Sequence, residues 1–239
     1  MRLGVAVTVK QKPSFKAIEP ISLKDLALRA IREAILGGGL CPGERVAESR
    51  LSKQMQVGQN VVREALQELE FQGFVERVPN KGTFVTHFSR EDIGQIYRFR
   101  MELEGFAAQL ARECRRPNAE DNSRLERALS GMQAGADAND FWQFSRSDLE
   151  FHEIIWQMSG NRFVEKALRA VATPQFSYVL IRSFHQTRLD LQAITQEHRE
   201  LLEVLKTAEP AACRQFVTGK VEGFWQQIDR GIDEPEIGK

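Results

Sequence analysis

The chain lacks several things. None of its 239 residues belongs to an apolar run approaching the roughly 18–20 residues that a bilayer-crossing helix needs. Cysteine is scarce: Cys41, Cys114 and Cys213 are odd in number and show no CxxC spacing, which argues against a disulfide framework or a cysteine-based zinc module and suits a reducing cytoplasm. The start, Met1 to Lys16, holds basic residues and the short apolar group Val5, Ala6, Val7 and Val9. It has no long apolar core followed by a small-residue cleavage site, so residues 1–20 read as a flexible arm rather than a signal peptide. Net charge is absent too, with 33 basic and 33 acidic side chains. That balance hides a division. Residues 1–90 hold 14 Lys+Arg against 9 Asp+Glu, an excess of five, and the remainder carries the five compensating acidic charges. A basic front joined to an acidic back suits a nucleic-acid module ahead of a separate regulatory domain.

The pattern of residues 21–87 supports that division. Leu23, Leu26, Ala27, Ala30, Ile31, Ala34 and Ile35 recur at helical spacing, with Ser22 as N-cap and Gly37-Gly38-Gly39 as the stop. A second helix is expected from Glu48 to Gln54, a turn at Gln56-Val57-Gly58, and a third helix from Gln59 to Gly73 with Val62, Ala65, Leu66, Leu69 and Phe71 on one stripe. Phe74 to Val78 alternates as a strand, Pro79-Asn80-Lys81-Gly82 turns it, and Thr83 to Val85 returns. Helix, turn, helix and hairpin in this order predict a winged helix-turn-helix, whose third helix enters a DNA groove by its N-terminal end. Arg63 can grip a phosphate or a guanine, and Gln59 and Asn60 have the amide geometry for adenine; the same three residues also suit a solvated helix face. Gly82 lets the hairpin tip approach the duplex and Lys81 adds charge, although a plain tight turn uses the same residues. With Arg45 and Arg50, these form the candidate DNA-binding set.

The run from Ile31 to Val85, with its PGER, VREAL, LE-x-x-G and P-x-x-G-x-x-V motifs, resembles the DNA-binding domain of the GntR regulators. The resemblance implies that Arg63, the arginine of VREAL, contacts DNA and that Gly82 reaches the minor groove. The chain departs from the family where Ser-Arg-Thr-Pro is usual: Gly58-Gln59-Asn60-Val61 puts a glycine at the helix cap and an uncharged Gln59 where a DNA-contacting arginine is common.

Residues 92–232 show helical stretches and no strand pattern. Helices are expected over 92–115, 118–132, 141–158, 163–172, 176–184, 189–205 and 211–232, with breaks at 135–139 and a kink or stop at Thr173-Pro174. The fold class is therefore mostly α: a winged helix-turn-helix followed by a bundle of six or seven helices. In the first of these helices Ile93, Ile96, Phe99, Leu103, Phe106, Ala107, Leu110 and Ala111 are expected to face inward. Asp148 and His152, four apart, share a helix face, and His198 lies on a later helix. By spacing alone this is a weak divalent-metal signal that also suits a surface pair. The segments RMELE (100–104), DLEFHEIIWQMSGN (148–161) and EHRELLEVL (197–205) resemble the FCD effector domain of FadR-type GntR regulators. The resemblance implies metal ligation by Asp148, His152 and His198. It puts Lys220 at the fourth ligand position, where the family has a histidine. One alternative has Lys220 replacing the metal beside Asp148, so that a carboxylate effector meets Lys220, the imidazoles and Arg100. The other is a three-ligand zinc or nickel site completed by water, with Lys220 turned away. A salt bridge between helices would equally explain Arg100. His87 and His185 lie outside the constellation.

The function expected is a cytoplasmic, dimeric, metabolite-responsive transcription regulator, most naturally a repressor, not an enzyme. It would bind a double-stranded operator and a small organic acid. Dimerisation follows because two half-sites need two recognition helices. The alternatives are a metabolite-binding protein with a decayed DNA head and a metal-dependent hydrolase built on Asp148, His152 and His198.

Overall fold

The computed structural model describes residues 22–114, 118–185 and 189–231. The arm of residues 1–20 lies outside them. Helix α1 (Leu23–Leu36) starts as its sequence predicts: Ser22 accepts the Asp25 N–H at 3.0 Å, a cap worth about 1 kcal/mol. Helices α2 (Glu48–Met55) and α3 (Gln59–Phe71) follow, separated by a turn that uses Gln56 in the left-handed region. Gly58 caps α3 with no side-chain hydrogen bond, as a residue without a side chain must. The hairpin is β2 (Val75–Val78) and β3 (Gly82–Val85), paired with Val78 opposite Gly82. A strand that the sequence did not announce, β1 (Arg45–Val46), pairs antiparallel with β3 and makes a three-stranded sheet in the order β1-β3-β2. Two residues are too few to show a period, so only the partner strand reveals it.

Six further helices complete the described residues: α4 (Arg90–Cys114), α5 (Ala119–Ala138), α6 (Phe141–Met158), α7 (Arg162–His185), α8 (Leu191–Thr207) and α9 (Pro210–Gly231). No helix among the described residues is long and apolar enough to cross a membrane. The expected break at 135–139 shrinks to its last residue, and Thr173-Pro174 does not stop its helix. α5 runs through Gly135 and ends at Asn139 in the left-handed region. Gly135 serves close approach rather than termination, since a methyl there would stand 2.6 Å from Phe144 N. Pro174 does not end α7 but sits inside it, removing one helical donor. The buried stripe of α4 also differs from the expected one. Phe99 is exposed, and Ile96, Leu103, Phe106 and Leu110 are half-buried, while Tyr97, Arg100 and Glu104 join Ile93, Ala107 and Ala111 inside. Arg100 and Glu104 neutralise each other, so the pair can occupy a face that a hydropathy reading assigns to water.

α7 belongs to two cores. Phe176, Leu168 and Ala172 pack around Trp156 in the bundle, whereas Leu180 and Ile181 enter the winged-helix core beside Leu66, Phe74 and Val75. The two parts also meet at the end of α3. Ser177 Oγ donates to Gln72 O at 2.5 Å, and Gly73, with φ +77°, abuts Pro174. A methyl at Gly73 would lie 2.6 Å from Pro174 Cα. Gly73→Ala should therefore lower stability by about 2 kcal/mol, through backbone strain plus steric conflict. Gly160→Ala, with φ +66° but open space around it, should cost about 1 kcal/mol. Urea unfolding of the two variants checks the order.

Candidate functional site

The candidate DNA-binding residues converge around α2, α3 and the hairpin. Arg45, Arg50, Gln59, Asn60, Arg63 and Lys81 are all exposed. The Arg45 guanidinium lies against Gly82, where a methyl would meet its Nε at 3.2 Å. Gly82 has φ +114°, which side chains rarely adopt, so the hairpin tip needs glycine here. Arg50 is held by Glu44 at 2.9 Å. Arg63, one turn into α3, is held by Glu48 at 2.8 Å. Glu48 is a residue that sequence reasoning missed: it sits 15 positions from Arg63, and only the crossing of α2 and α3 joins them. Both ion pairs are solvent-exposed and so weak, leaving the arginines able to exchange a carboxylate for a phosphate.

The second constellation lies inside the bundle. α6 carries Asp148 and His152 one turn apart, α8 carries His198, and α4 carries Arg100 and Glu104. The three candidate ligand atoms lie within 4.8 Å of one another. Each imidazole is oriented by its other nitrogen. His198 Nδ1 is 2.8 Å from Ile194 O, a carbonyl that can only accept, so Nδ1 carries the proton. His152 Nδ1 is 2.9 Å from Glu104 Oε2, an ion-pair contact that favours the proton on Nδ1, although it is not well aligned as a hydrogen bond. Both Nε2 atoms therefore face inward, 3.2 Å apart. Asp148 Oδ1 stands 2.9 Å from His198 Nε2 and 3.7 Å from His152 Nε2. This oxygen is buried, and no well-aligned hydrogen bond satisfies it.

Three donor atoms separated in this way fit a divalent cation. Bonds of about 2.1 Å in a tetrahedron put neighbouring ligands roughly 3.4 Å apart, close to the spacings here. A carboxylate or carbonyl behind each ligating imidazole is the usual outer support. Glu104 is thus a positioning residue, legible in retrospect from its four-residue spacing to Arg100.

Electrostatics tie the groups of the cluster to one another. Burial alone would raise the Glu104 carboxyl, but Arg100 at 2.5 Å and His152 outweigh it and hold it down at about 2. Burial likewise opposes charge on Asp148 and His198, yet each favours the other's charged form, lowering the Asp148 pKa and raising that of His198. Arg100 also donates to Gln175 Oε1 at 2.5 Å, and Gln175 donates to Tyr97 Oη at 2.9 Å. These side chains line one end of a cavity of about 100 Å³ whose other walls come from α6, α7, α8 and α9.

Lys220 lines this cavity without pairing with Asp148 as one alternative required. Its Nζ lies 3.2 Å from Glu200 and 3.5 Å from Glu197. The reason is solvation: an ammonium keeps water beside two half-exposed glutamates, whereas Asp148 is buried and already matched by His198. His87, assigned nothing, packs edge-on against Tyr178.

A metal needs His198 Nε2 without its proton, and the raised pKa makes that proton harder to displace than from a free imidazole. On the acid side of the His198 pKa, zinc uptake should therefore release about one proton per site and affinity should fall about tenfold per pH unit. Calorimetry in buffers of different ionisation enthalpy measures both. Proton-independent uptake would exclude His198 as a ligand.

Comparison with known proteins agrees with this architecture. Residues 23–85 match the model of bacterial regulatory proteins of the gntR family, and residues 95–222, over half of the chain, match the FCD domain. The chain is 26% identical over 205 residues to the uncharacterized HTH-type transcriptional regulator YdhC of Bacillus subtilis, covering 85% of this chain and 90% of that protein. It is 24% identical over 220 residues to the gluconate operon transcriptional repressor of Bacillus licheniformis, covering 85% and 88%. Among solved structures, a GntR transcriptional regulator from Rhodococcus sp. RHA1 shares the fold with a TM-score of 0.63 at 22% identity, over 86% of this chain and 96% of that one. E. coli McbR/YncC has the same score at 21% identity, over 87% and 99%. The chain belongs to the gntR family of bacterial regulatory proteins: it is a DNA-binding transcription regulator, not an enzyme, with an FCD domain behind its winged helix.

Proposed function

We propose that the protein is a metabolite-responsive repressor of the cytoplasm. It acts as a homodimer whose winged helices, residues 21–87, occupy two half-sites of a double-stranded operator. Residues 92–232 form the effector and dimerisation domain. They take a small organic acid beside a divalent ion such as zinc or nickel. The observation that carries this reading is the buried Asp148–His152–His198 cluster at the end of an internal cavity, tied to the helix that touches the winged helix. Relatives named as operon repressors support the sign of regulation: one for gluconate, another, from Paenarthrobacter nicotinovorans, for D-xylose utilization.

On DNA, Arg45, Arg50 and Lys81 serve as phosphate contacts, Arg63 as a phosphate or guanine contact, Gln59 and Asn60 as readers of base edges, and Gly82 as the point of close approach. In the cavity, Asp148, His152 and His198 would hold the ion, which would supply a positive anchor for a carboxylate. Arg100 faces the same space. Lys220, held by Glu197 and Glu200, guards the wall rather than ligating.

The route from ligand to DNA is short. Arg100 grips Gln175, the neighbour of Pro174 and two residues before Ser177. Pro174 and Ser177 touch Gly73 and Gln72, which end the recognition helix α3. A ligand that prefers one position of α7 therefore prefers one pose of α3, and the operator senses the same difference reciprocally.

Arg63→Ala should weaken binding to DNA from upstream of the protein's own gene by about tenfold to hundredfold in a gel shift, with the dimer intact by size-exclusion chromatography. Unchanged affinity would remove α3 from the interface. Ser177→Ala should leave operator affinity near normal but reduce the response to effector by about fivefold, a small coupling energy of the kind one hydrogen bond carries. A full response would place the coupling elsewhere.

A further inference from the structure

The cavity is chemically two-ended. Polar groups gather at one end, where Asp148, His152, His198 and Arg100 meet. Most of the remaining surface is hydrocarbon, supplied by Phe144, Phe176, Ile194, Leu201, Val217 and Val221 among others, with Ser145, Gln175, Glu197 and Lys220 adding polar groups. A cavity of about 100 Å³, measured in the sense that one water occupies some 10–15 Å³, holds roughly seven to ten water-sized atoms.

The charges limit the ligand further. Arg100 is matched by Glu104 at 2.5 Å, and Lys220 by Glu197 and Glu200. A divalent ion on Asp148 and two neutral imidazoles leaves one positive charge unmatched, enough for one carboxylate. A second carboxylate would be buried without a partner, which is strongly unfavourable. Arg100 can still add to the first: its Nε is spent on Glu104 and its Nη1 on Gln175, while its Nη2 has no hydrogen-bond partner among the described residues.

Hydroxyl groups fare badly against the other walls. Few polar groups there are uncommitted, since Gln175 already pairs with Arg100 and Tyr97, and Glu197 with Lys220; each hydroxyl buried without a partner lowers affinity by roughly tenfold or more. A hydrocarbon body in the same space gains from its transfer out of water.

Building on the reading of this cavity as the effector site, we infer that the effector is a monocarboxylate with a compact hydrocarbon body, aromatic or branched, and not a polyhydroxylated acid. The carboxylate meets the Asp148–His152–His198 end and Arg100, and the body fills the space between Phe144, Phe176 and Val217.

The test uses the full-length protein with equimolar zinc and two series of monocarboxylates: benzoate and 4-methylpentanoate against threonate and gluconate. Benzoate and threonate are equal in charge and in number of non-hydrogen atoms, so they differ in hydroxylation and shape. Titration calorimetry and thermal shift should show the hydrocarbon acids binding at least about tenfold more tightly. Val217→Phe, which fills the apolar end, should weaken benzoate by a further tenfold or more while zinc still binds as in the unaltered protein. Threonate or gluconate binding equally well or better, with zinc required, would overturn the ligand class and leave the effector site standing. Binding of neither series would sink both. The native-protein comparison decides the matter even if Val217→Phe does not fold.

Discussion

A buried guanidinium holds the interior of this molecule together. Arg100 is 4% exposed, and its charge is bearable there because Glu104, one turn along α4, is equally hidden. Taking either partner away would leave a lone charge in a dry interior, costing about 3–5 kcal/mol. From that pair the contacts spread in two directions. Glu104 reaches His152 on α6 and sets which imidazole nitrogen faces the cavity. Arg100 reaches Gln175 on α7 and, through it, Tyr97. The ligand cluster, the cavity wall and the helix shared by both cores are thus ordered by one ion pair.

α7 links this local order to the winged helix. Its first half packs against Trp156, and Leu180 and Ile181 help to close the winged-helix core. Pro174, at the centre, has no N–H for the helix ladder, and the contact with Gly73 leaves no room for a side chain. A helix shared by two cores and pinned at its middle transmits a shift instead of absorbing it, because packed interiors do not deform continuously.

The proposed DNA face follows a different logic. Its arginines sit in exposed pairs with Glu44 and Glu48, weak enough to yield to a polyanion yet ordered enough to present the guanidinium groups beforehand. Gly58 gives α3 no side-chain cap and Gln59 carries no charge at its start, so on the proposed DNA face Arg63 and the hairpin would bear more of the attraction to phosphate.

Much of this was legible along the chain. Apolar spacing placed α1, α3 and α6, Ser22 marked a helix start, and the Pro79 to Gly82 turn predicted the hairpin. The pairing of Asp148 with His152 followed from helical period, since residues four apart share a face. What the sequence could not supply was every relation between distant segments. Gly135 and Pro174 look like breaks in one dimension, but a close neighbour in one case and packing on both sides in the other keep their helices intact. Arg100 reads as an effector contact or an interhelical salt bridge until the fold pairs it with Glu104 on its own helix, and Lys220 reads as either a partner for Asp148 or turned away until α8 offers Glu197 and Glu200. Local order answers to nearest neighbours along the backbone and is written in the order of residues. Which charge meets which, and which helix serves two cores, depends on contacts between residues far apart in the chain, and only the packed tertiary structure decides those.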